Sequence, residues 1–349
     1  MLDRSKALPL RRGRPDGLSV SLMGLGCMGM SEFYGESKDD RSREVILHAI
    51  DSGVTFFDTA DVYGYGHNET LVGGVLRDHP ERHRLVLATK GGIVRDRSDS
   101  TRRGIDTSPE YILKAIDRSL DRLQTPIDLY YLHRVEESGQ RIEETMVALA
   151  QAIGDGRIGA VGLSEVAADI IRRADAALRK ATLGAHGLAA VQTEYSLMTR
   201  HIEQDGVDAV CRELGVLLVA YSPICRGLLA DPAFDPAQLS EQDFRRTLPR
   251  FESVNLDHNR GMVNVLSEVA HEENATPAQV ALSGVISRGP HVVPIPGTRS
   301  LKRFDENIRA CRIELSPAAI SRLEEVFAPQ SAVGMRYAAA AMQAYGFKI

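Results

Sequence analysis

The chain alternates short apolar, β-branched runs with longer stretches in which apolar residues recur every three or four positions. That is the pattern of repeated strand–helix units. The short runs predict strands at 22–26, 55–58, 85–89, 129–132, 160–163, 190–193, 217–220 and 292–295. Helical periodicity covers 43–52, 109–123, 142–154, 167–179, 206–214 and 262–272. Ser108-Pro109-Glu110 supplies an N-cap, a first-turn proline and a first-turn acid, and Thr276-Pro277 opens a further helix in the same way. Eight strands alternating regularly with helices, with no Pro/Gly/Ser-rich linker between them, predict an α/β fold. The expected form is a closed (β/α)8 barrel over residues 1–349 as one domain, preceded by an N-terminal β-hairpin, rather than an open doubly wound sheet with an appended domain. Residues 91–108, 222–260 and the tail beyond 328 are expected to be long loops. The first two would lie at the C-terminal face of the barrel, where active sites of this architecture are built.

Charge and composition narrow the function. In 349 residues, 42 Lys and Arg stand against 47 Asp and Glu, for a net charge of −5, so no basic footprint announces a nucleic acid or a membrane surface. Trp is absent and aromatic content is 5%, which argues against a base-stacking platform. No uncharged apolar run approaches the roughly 18 residues needed to span a bilayer, and residues 1–17 are basic without the apolar stretch of a secretory signal. Cys27, Cys211, Cys225 and Cys311 are widely spaced, with no C-x-x-C pair. They read as reduced thiols of a cytoplasmic protein without disulfides or a metal site.

Gly24-Leu25-Gly26-Cys27-Met28-Gly29 matches G-x-G-x-x-G after a strand, the mark of a dinucleotide-binding turn. That turn requires the glycines to open a helix at once, so that the helix N-terminus meets the pyrophosphate. Here residues 30–40 carry Ser31, Gly35, Ser37 and two aspartates, a loop composition. Asp58 also lies too far along for the expected ribose contact. The match is therefore read as a false one, and the glycines as letting the backbone pass close to a ligand at the barrel mouth.

Four polar residues stand at or just past strand ends where an apolar continuation would be the bland choice: Asp58, Tyr63, Lys90 and His133. Each alone is most simply a cap, a solvated amine, a packing imidazole or a core phenol. Together they converge, because barrel topology brings adjacent strand ends to one rim. A carboxylate that holds an ammonium, and an ammonium that lowers the pKa of a phenol from about 10, make the phenol a general acid for a carbonyl oxygen. His133 is placed to orient that carbonyl.

In these contexts the four residues resemble the catalytic tetrad of the aldo-keto reductase superfamily. The resemblance covers nearly the whole chain in order, through Phe57-Asp58-Thr59-Ala60-Asp61-Val62-Tyr63-Gly64, Ala88-Thr89-Lys90, Leu132-His133, Val161-Gly162-Leu163-Ser164, Val191-Gln192-Thr193-Glu194-Tyr195-Ser196 and Ala220-Tyr221-Ser222-Pro223. Met28-Gly29-Met30-Ser31, Leu132-His133-Arg134-Val135 and Ile295-Pro296-Gly297-Thr298 look closest to its auxin-induced or pyridoxal-reductase-like bacterial branch.

The resemblance implies a (β/α)8 barrel that binds NADPH across its C-terminal mouth and reduces aldehydes and ketones. The 4-pro-R hydride would pass from nicotinamide C4, with Tyr63 as acid. Ser164 and Gln192 would hold the carboxamide and Tyr221 would stack on the ring. Gly26, Met28 and Asp58 would border the cofactor, and Ser222, Pro223, Gly227 and Leu228 would line the pyrophosphate path. In Gly297-Thr298-Arg299, Arg299 or the nearby Arg303 would meet the ribose 2′-phosphate, because cations at a helix start oppose its dipole unless an anion joins them. Glu306 and Asn307 would meet the adenine. Glu165 stands where most of the family has Asn, and its carboxylate can accept from the carboxamide NH2 but cannot donate. Met28, Phe33, Tyr34, Tyr65 and Tyr337 are the expected substrate walls. The competing reading is an auxiliary subunit that senses NADPH without turnover, and the intact tetrad argues against it.

Overall fold

Alternate positions along a strand face opposite sides of a sheet, and in a closed barrel those sides are the interior and the helical coat. The computed structural model describes residues 7–14, 17–95, 98, 103–136, 138–339 and 342. In chain order its strands are β1 (Leu10–Arg12), β2 (Ser19–Ser21), β3 (Leu25–Gly26), β4 (Phe56–Asp58), β5 (Val86–Gly91), β6 (Ile93–Arg95), β7 (Arg103–Ile105), β8 (Leu129–Leu132), β9 (Val161–Ser164), β10 (Ala190–Glu194), β11 (Leu217–Tyr221) and β12 (Val292–Pro294). The pairs β3–β4, β4–β5, β5–β8, β8–β9, β9–β10, β10–β11 and β11–β12 are all parallel. A parallel bridge between Gly26 and Gly297 closes the ring, with the Gly24 and Gly26 amides donating to the carbonyls of Pro294 (3.0 Å) and Pro296 (3.3 Å). The expected eight-stranded barrel is therefore the observed one, with boundaries shifted by a few residues at several strands.

The helices are α1 (Asp39–Asp51), α2 (His67–Leu76), α3 (Pro109–Leu123), α4 (Ile142–Gly154), α5 (Ala168–Ala181), α6 (Val207–Leu214), α7 (Ser253–Glu272), α8 (Pro277–Ile286), α9 (Leu301–Arg309) and α10 (Pro317–Val326). Ser108 caps α3, accepting from the Tyr111 amide, and Thr276 forms a reciprocal capping box with Gln279 at α8, as their residue types dictate. The hairpin of β1 and β2 pairs antiparallel, and Val20 reaches the apolar plug inside the barrel. That plug is built from one parity of each strand: Phe56, Val86 with Ala88, Leu129 with Tyr131, Ala190, Leu217 with Val219, and Val293. The opposite parity, with Phe57, Leu87, Tyr130, Leu132, Val161, Val191 and Leu218, packs under the helices.

Two expectations about loops are corrected. Residues 222–260 are not an unstructured loop: α7 starts at Ser253, where Leu256, Asn259, Met262 and Val263 bury one helical face, and short 3-10 turns precede it. Polar residues at its start (Ser253, Asn255, Asp257, His258) hide that stripe in the sequence. Residues 91–108 hold the β6–β7 hairpin rather than open coil. Gly24 and Gly26 also serve closure of the barrel. A methyl on Gly24 would lie 2.7 Å from the Phe56 ring, and one on Gly26 would lie 2.8 Å from the Ile295 carbonyl oxygen. Gly26→Ala is expected to cost about 1–3 kcal/mol through overpacking at the seam, read as a lower denaturant midpoint at unchanged slope.

Candidate active site

Two residues above the plug, the inward parity turns polar. Counting by two from Phe56, Ala88, Tyr131, Gly162, Ala190 and Val219 leads to Asp58, Lys90, His133, Ser164, Gln192 and Tyr221, all at the C-terminal rim. Apolar continuation would fill the mouth of the barrel, whereas polar side chains line it. Tyr63 comes from the turn after β4, where its ring packs with Met28, Phe33, Ala60, Val62 and Ile93.

Lys90 is fully buried. Its Nζ donates to Asp58 Oδ1 at 2.5 Å and to the Thr59 carbonyl at 2.7 Å, and lies 3.4 Å from the Tyr63 hydroxyl. Asp58 Oδ2 accepts from Gln192 Nε2 at 2.7 Å. The His133 ring stands edge-on to Tyr63, with centroids 5.8 Å apart and planes at 86°. The four residues singled out in the sequence are thus in one cluster.

Electrostatics correct one expectation. Burial is the strongest influence on Tyr63 and Asp58 adds to it, so the phenol is pushed well above its ordinary value, not below it. Arg134 opposes this only in part. Burial likewise pushes the Lys90 ammonium down, with Asp58 resisting. A dry rim therefore keeps Tyr63 protonated, which is the form a proton donor needs.

Around this cluster lie the remaining candidates. Ser164 and Gln192 are buried beside it. The Tyr221 hydroxyl is 3.0 Å from that of Tyr337, so the tail reaches the ring proposed for stacking. Ser222, Cys225, Arg226 and Gly227 all have positive φ, and only the last is a glycine. Backbone of this kind costs about 1–3 kcal/mol per non-glycine residue and persists only where its surroundings enforce it. Here the buried Arg226 pairs with the buried Glu194 at 2.7 Å and lies over the Tyr337 ring at 4.8 Å. Pro223 and Leu228 belong to the same loop, and Leu228 is fully buried.

Gly297 sits at the barrel seam and Thr298 leads into α9, which Ser300 caps. Arg299 is not free for a phosphate as the sequence suggested: its guanidinium donates to the carbonyls of Tyr34 (2.6 Å), Gly35 (3.2 Å) and Glu36, strapping the loop after β3 to the loop after β12. Arg303 is exposed on the first turn of α9. Asn307 is buried on the same helix, and the Glu306 carbonyl accepts from Gln279.

The expected substrate walls divide. Met28 and Phe33 pack against the small apolar cluster that contains Tyr63. Tyr34 lies against Phe244 beneath the Arg245 guanidinium, where burial raises its hydroxyl to about 12. Tyr65 lies beneath Arg95 at 4.1 Å, and Arg95 is itself paired with Glu32. Beyond residue 339 only Met342 is among the described residues.

Sequence reasoning gave Arg134 and the Glu194–Arg226 pair no role of their own, and placed Arg336 only in the tail beside Tyr337 as part of a substrate wall. Arg134 is buried and donates to the His133 carbonyl (2.5 Å) and Ser164 Oγ (3.1 Å). Arg336 Nη1 lies 3.1 Å from both Glu165 oxygens. Among the described residues no group of His, Cys, Asp and Glu could hold a metal ion, and no helix is long and apolar enough to cross a membrane.

A closed parallel barrel with this cluster at its mouth places the chain in a class of barrel proteins whose rim carries polar chemistry. The sequence profile of the aldo/keto reductase family matches residues 22–328, and the chain belongs to that family. It is 36% identical over 335 residues, 95% of each chain, to a protein named aldo-keto reductase yakc [NADP(+)] from Schizosaccharomyces pombe. It is 38% identical to a probable aldo-keto reductase 1 from Glycine max, over 96% of this chain and 93% of that one. Among solved structures, a glycerol dehydrogenase from Gluconobacter oxydans shares the fold at TM-score 0.79 and 24% identity, over 93% of this chain and 96% of that one. A thermostable aldo-keto reductase, solved with the inhibitor epalrestat, gives TM-score 0.69 at 27% identity, over 91% of this chain and all of that one. These likenesses reach the family and not the narrower branch suggested by the sequence.

Proposed function

We propose that this chain is an NADPH-dependent oxidoreductase that reduces small aldehydes and ketones to alcohols, with residues 1–349 acting as one catalytic domain. Bound NADPH would supply the hydride. Tyr63 donates the proton to the carbonyl oxygen, Lys90 and Asp58 fix and polarise its hydroxyl, and His133 orients the carbonyl from the side. The observation that carries the reading is the Tyr63 hydroxyl 3.4 Å from a fully buried Lys90 that is itself held by Asp58.

The donor set fits a nicotinamide. The Gln192 amide nitrogen is turned toward Asp58, which leaves its oxygen as an acceptor, and Ser164 Oγ accepts from Arg134, which leaves its hydrogen to give. Tyr221 offers a ring for stacking, and the enforced left-handed loop at 222–228 offers backbone amides along a pyrophosphate path. The name of the yeast relative carries NADP(+), and Arg303 on the first turn of α9 suits a 2′-phosphate.

Consumption of NADPH against a panel of aldehydes and ketones tests the activity, and stereospecifically deuterated cofactor tests transfer of the 4-pro-R hydrogen. Absence of turnover across the panel, with the cofactor bound, would favour a binding role instead. Arg303→Ala is expected to raise the KM for NADPH roughly tenfold, the scale of one charge-assisted contact, while leaving that for NADH nearly unchanged. Equal effects on both cofactors would remove the phosphate from Arg303.

A further inference from the structure

We propose that Arg134 belongs to the cofactor site: through Ser164 it supplies the donor that Glu165 cannot, and so holds the carbonyl of the nicotinamide carboxamide. The inference rests on the NADPH reading above.

The carboxamide presents one acceptor oxygen and two N–H donors, so a site that orients it needs both a donor and an acceptor. Position 165 carries Glu where the resemblance expects an amide donor. Burial alone would raise its carboxyl, but Arg336 and Arg134 outweigh burial and bring it down to about 2. It is therefore an ionised, acceptor-only group. It is also tied back, accepting from the Glu194 amide at 2.8 Å and from Arg336. Gln192 directs its amide nitrogen at Asp58. Glu165 has no hydrogen to give and Asp58 takes one of the two Gln192 amide hydrogens, whereas the Ser164 hydroxyl keeps its hydrogen for the carbonyl.

Ser164 does not act alone. Its oxygen accepts from Arg134 Nη1 at 3.1 Å, so its own proton must point elsewhere, and a cationic donor behind a hydroxyl makes that proton a stronger donor. Arg134 is buried at the end of β8 and anchored to the His133 carbonyl. A guanidinium drawn from water at the cofactor rim incurs a desolvation cost that a structural loop position does not require. Its place, one residue after His133 and against the β9 end, is where the carboxamide carbonyl would lie in that reading. The lost amide donor at 165 and the buried arginine at 134 thus compensate each other.

Fluorescence titration of the purified full-length protein with NADPH and with 2′,5′-ADP, which lacks the nicotinamide, tests this. Arg134→Met should weaken NADPH about tenfold and leave 2′,5′-ADP within about twofold, which also reports that the variant is folded. Adding Glu165→Asn to Arg134→Met should restore much of the NADPH affinity, because it returns a donor to the same carbonyl. Equal loss for both ligands would make Arg134 merely structural. Unchanged NADPH affinity would overturn the proposal, as would a raised KM for a carboxylated aldehyde alone, which would assign Arg134 to the substrate. If the wild-type protein binds 2′,5′-ADP but not NADPH, the failure lies in the cofactor reading itself.

Discussion

Tyr63→Phe should leave NADPH binding intact and lower kcat for carbonyl reduction by about 10²–10⁴-fold, the usual scale of a positioned general acid. The substitution removes one oxygen from a ring whose packing against Phe33, Ala60, Val62 and Ile93 is otherwise kept, so the fold has little reason to respond. What is lost is the hydroxyl that lies 3.4 Å from Lys90 Nζ. The pH profile adds a second reading of the same group. Burial and the neighbouring Asp58 hold the phenol above its ordinary value near 10, so reduction should show no alkaline fall from Tyr63 below about pH 10. Alcohol oxidation needs the phenolate and should rise with pH across that range. Steady-state rates in both directions decide the matter, and turnover near that of the wild type would take the proton from another group.

Much of this was readable in the chain. Once one strand is aligned, the period of two that places Phe56, Ala88 and Tyr131 inside the barrel also places Asp58, Lys90 and His133 one layer above them. The polar break in an apolar parity is visible without coordinates. Tyr63 was legible only through its neighbours, because it reaches the rim from a turn rather than a strand. Arg299 was misjudged because its partners are the backbone carbonyls of Tyr34, Gly35 and Glu36, about 264 positions away, and carbonyls leave no mark on side-chain patterns. The seam role of Gly24 and Gly26 is hidden in the sequence for a related reason. A glycine serving a ligand and one serving a strand seam look alike until Ile295 is seen against them. The start of α7 at Ser253 was hidden because its first turns are polar while Leu256 and Asn259 alone turn inward.

The second large effect concerns stability. Asp58→Asn is expected to cost about 3–5 kcal/mol at neutral pH, the scale for leaving one half of a buried ion pair without its partner. Lys90 is fully enclosed, and Asp58 is its only ion-pair partner among the described residues. The carboxylate at present resists the fall in the Lys90 pKa that burial imposes, so removing it lets that pKa drop further. The sign then follows from proton uptake. Between the lowered folded value and the unfolded value near 10.5, the unfolded chain binds the proton and the folded one does not, so stability rises with pH. That rise should be steeper and begin at lower pH in the variant than in the wild type. Asp58→Asn with Lys90→Met removes both charges and should recover a large part of the loss, because matched apolar replacement of a buried pair is often close to neutral. Denaturant unfolding at several pH values between about 6 and 10 measures all three proteins. A single variant as stable as the wild type at pH 7, or a double variant no better than the single, would mean that the pair is solvated and that the rim is not the dry cleft on which a protonated Tyr63 depends.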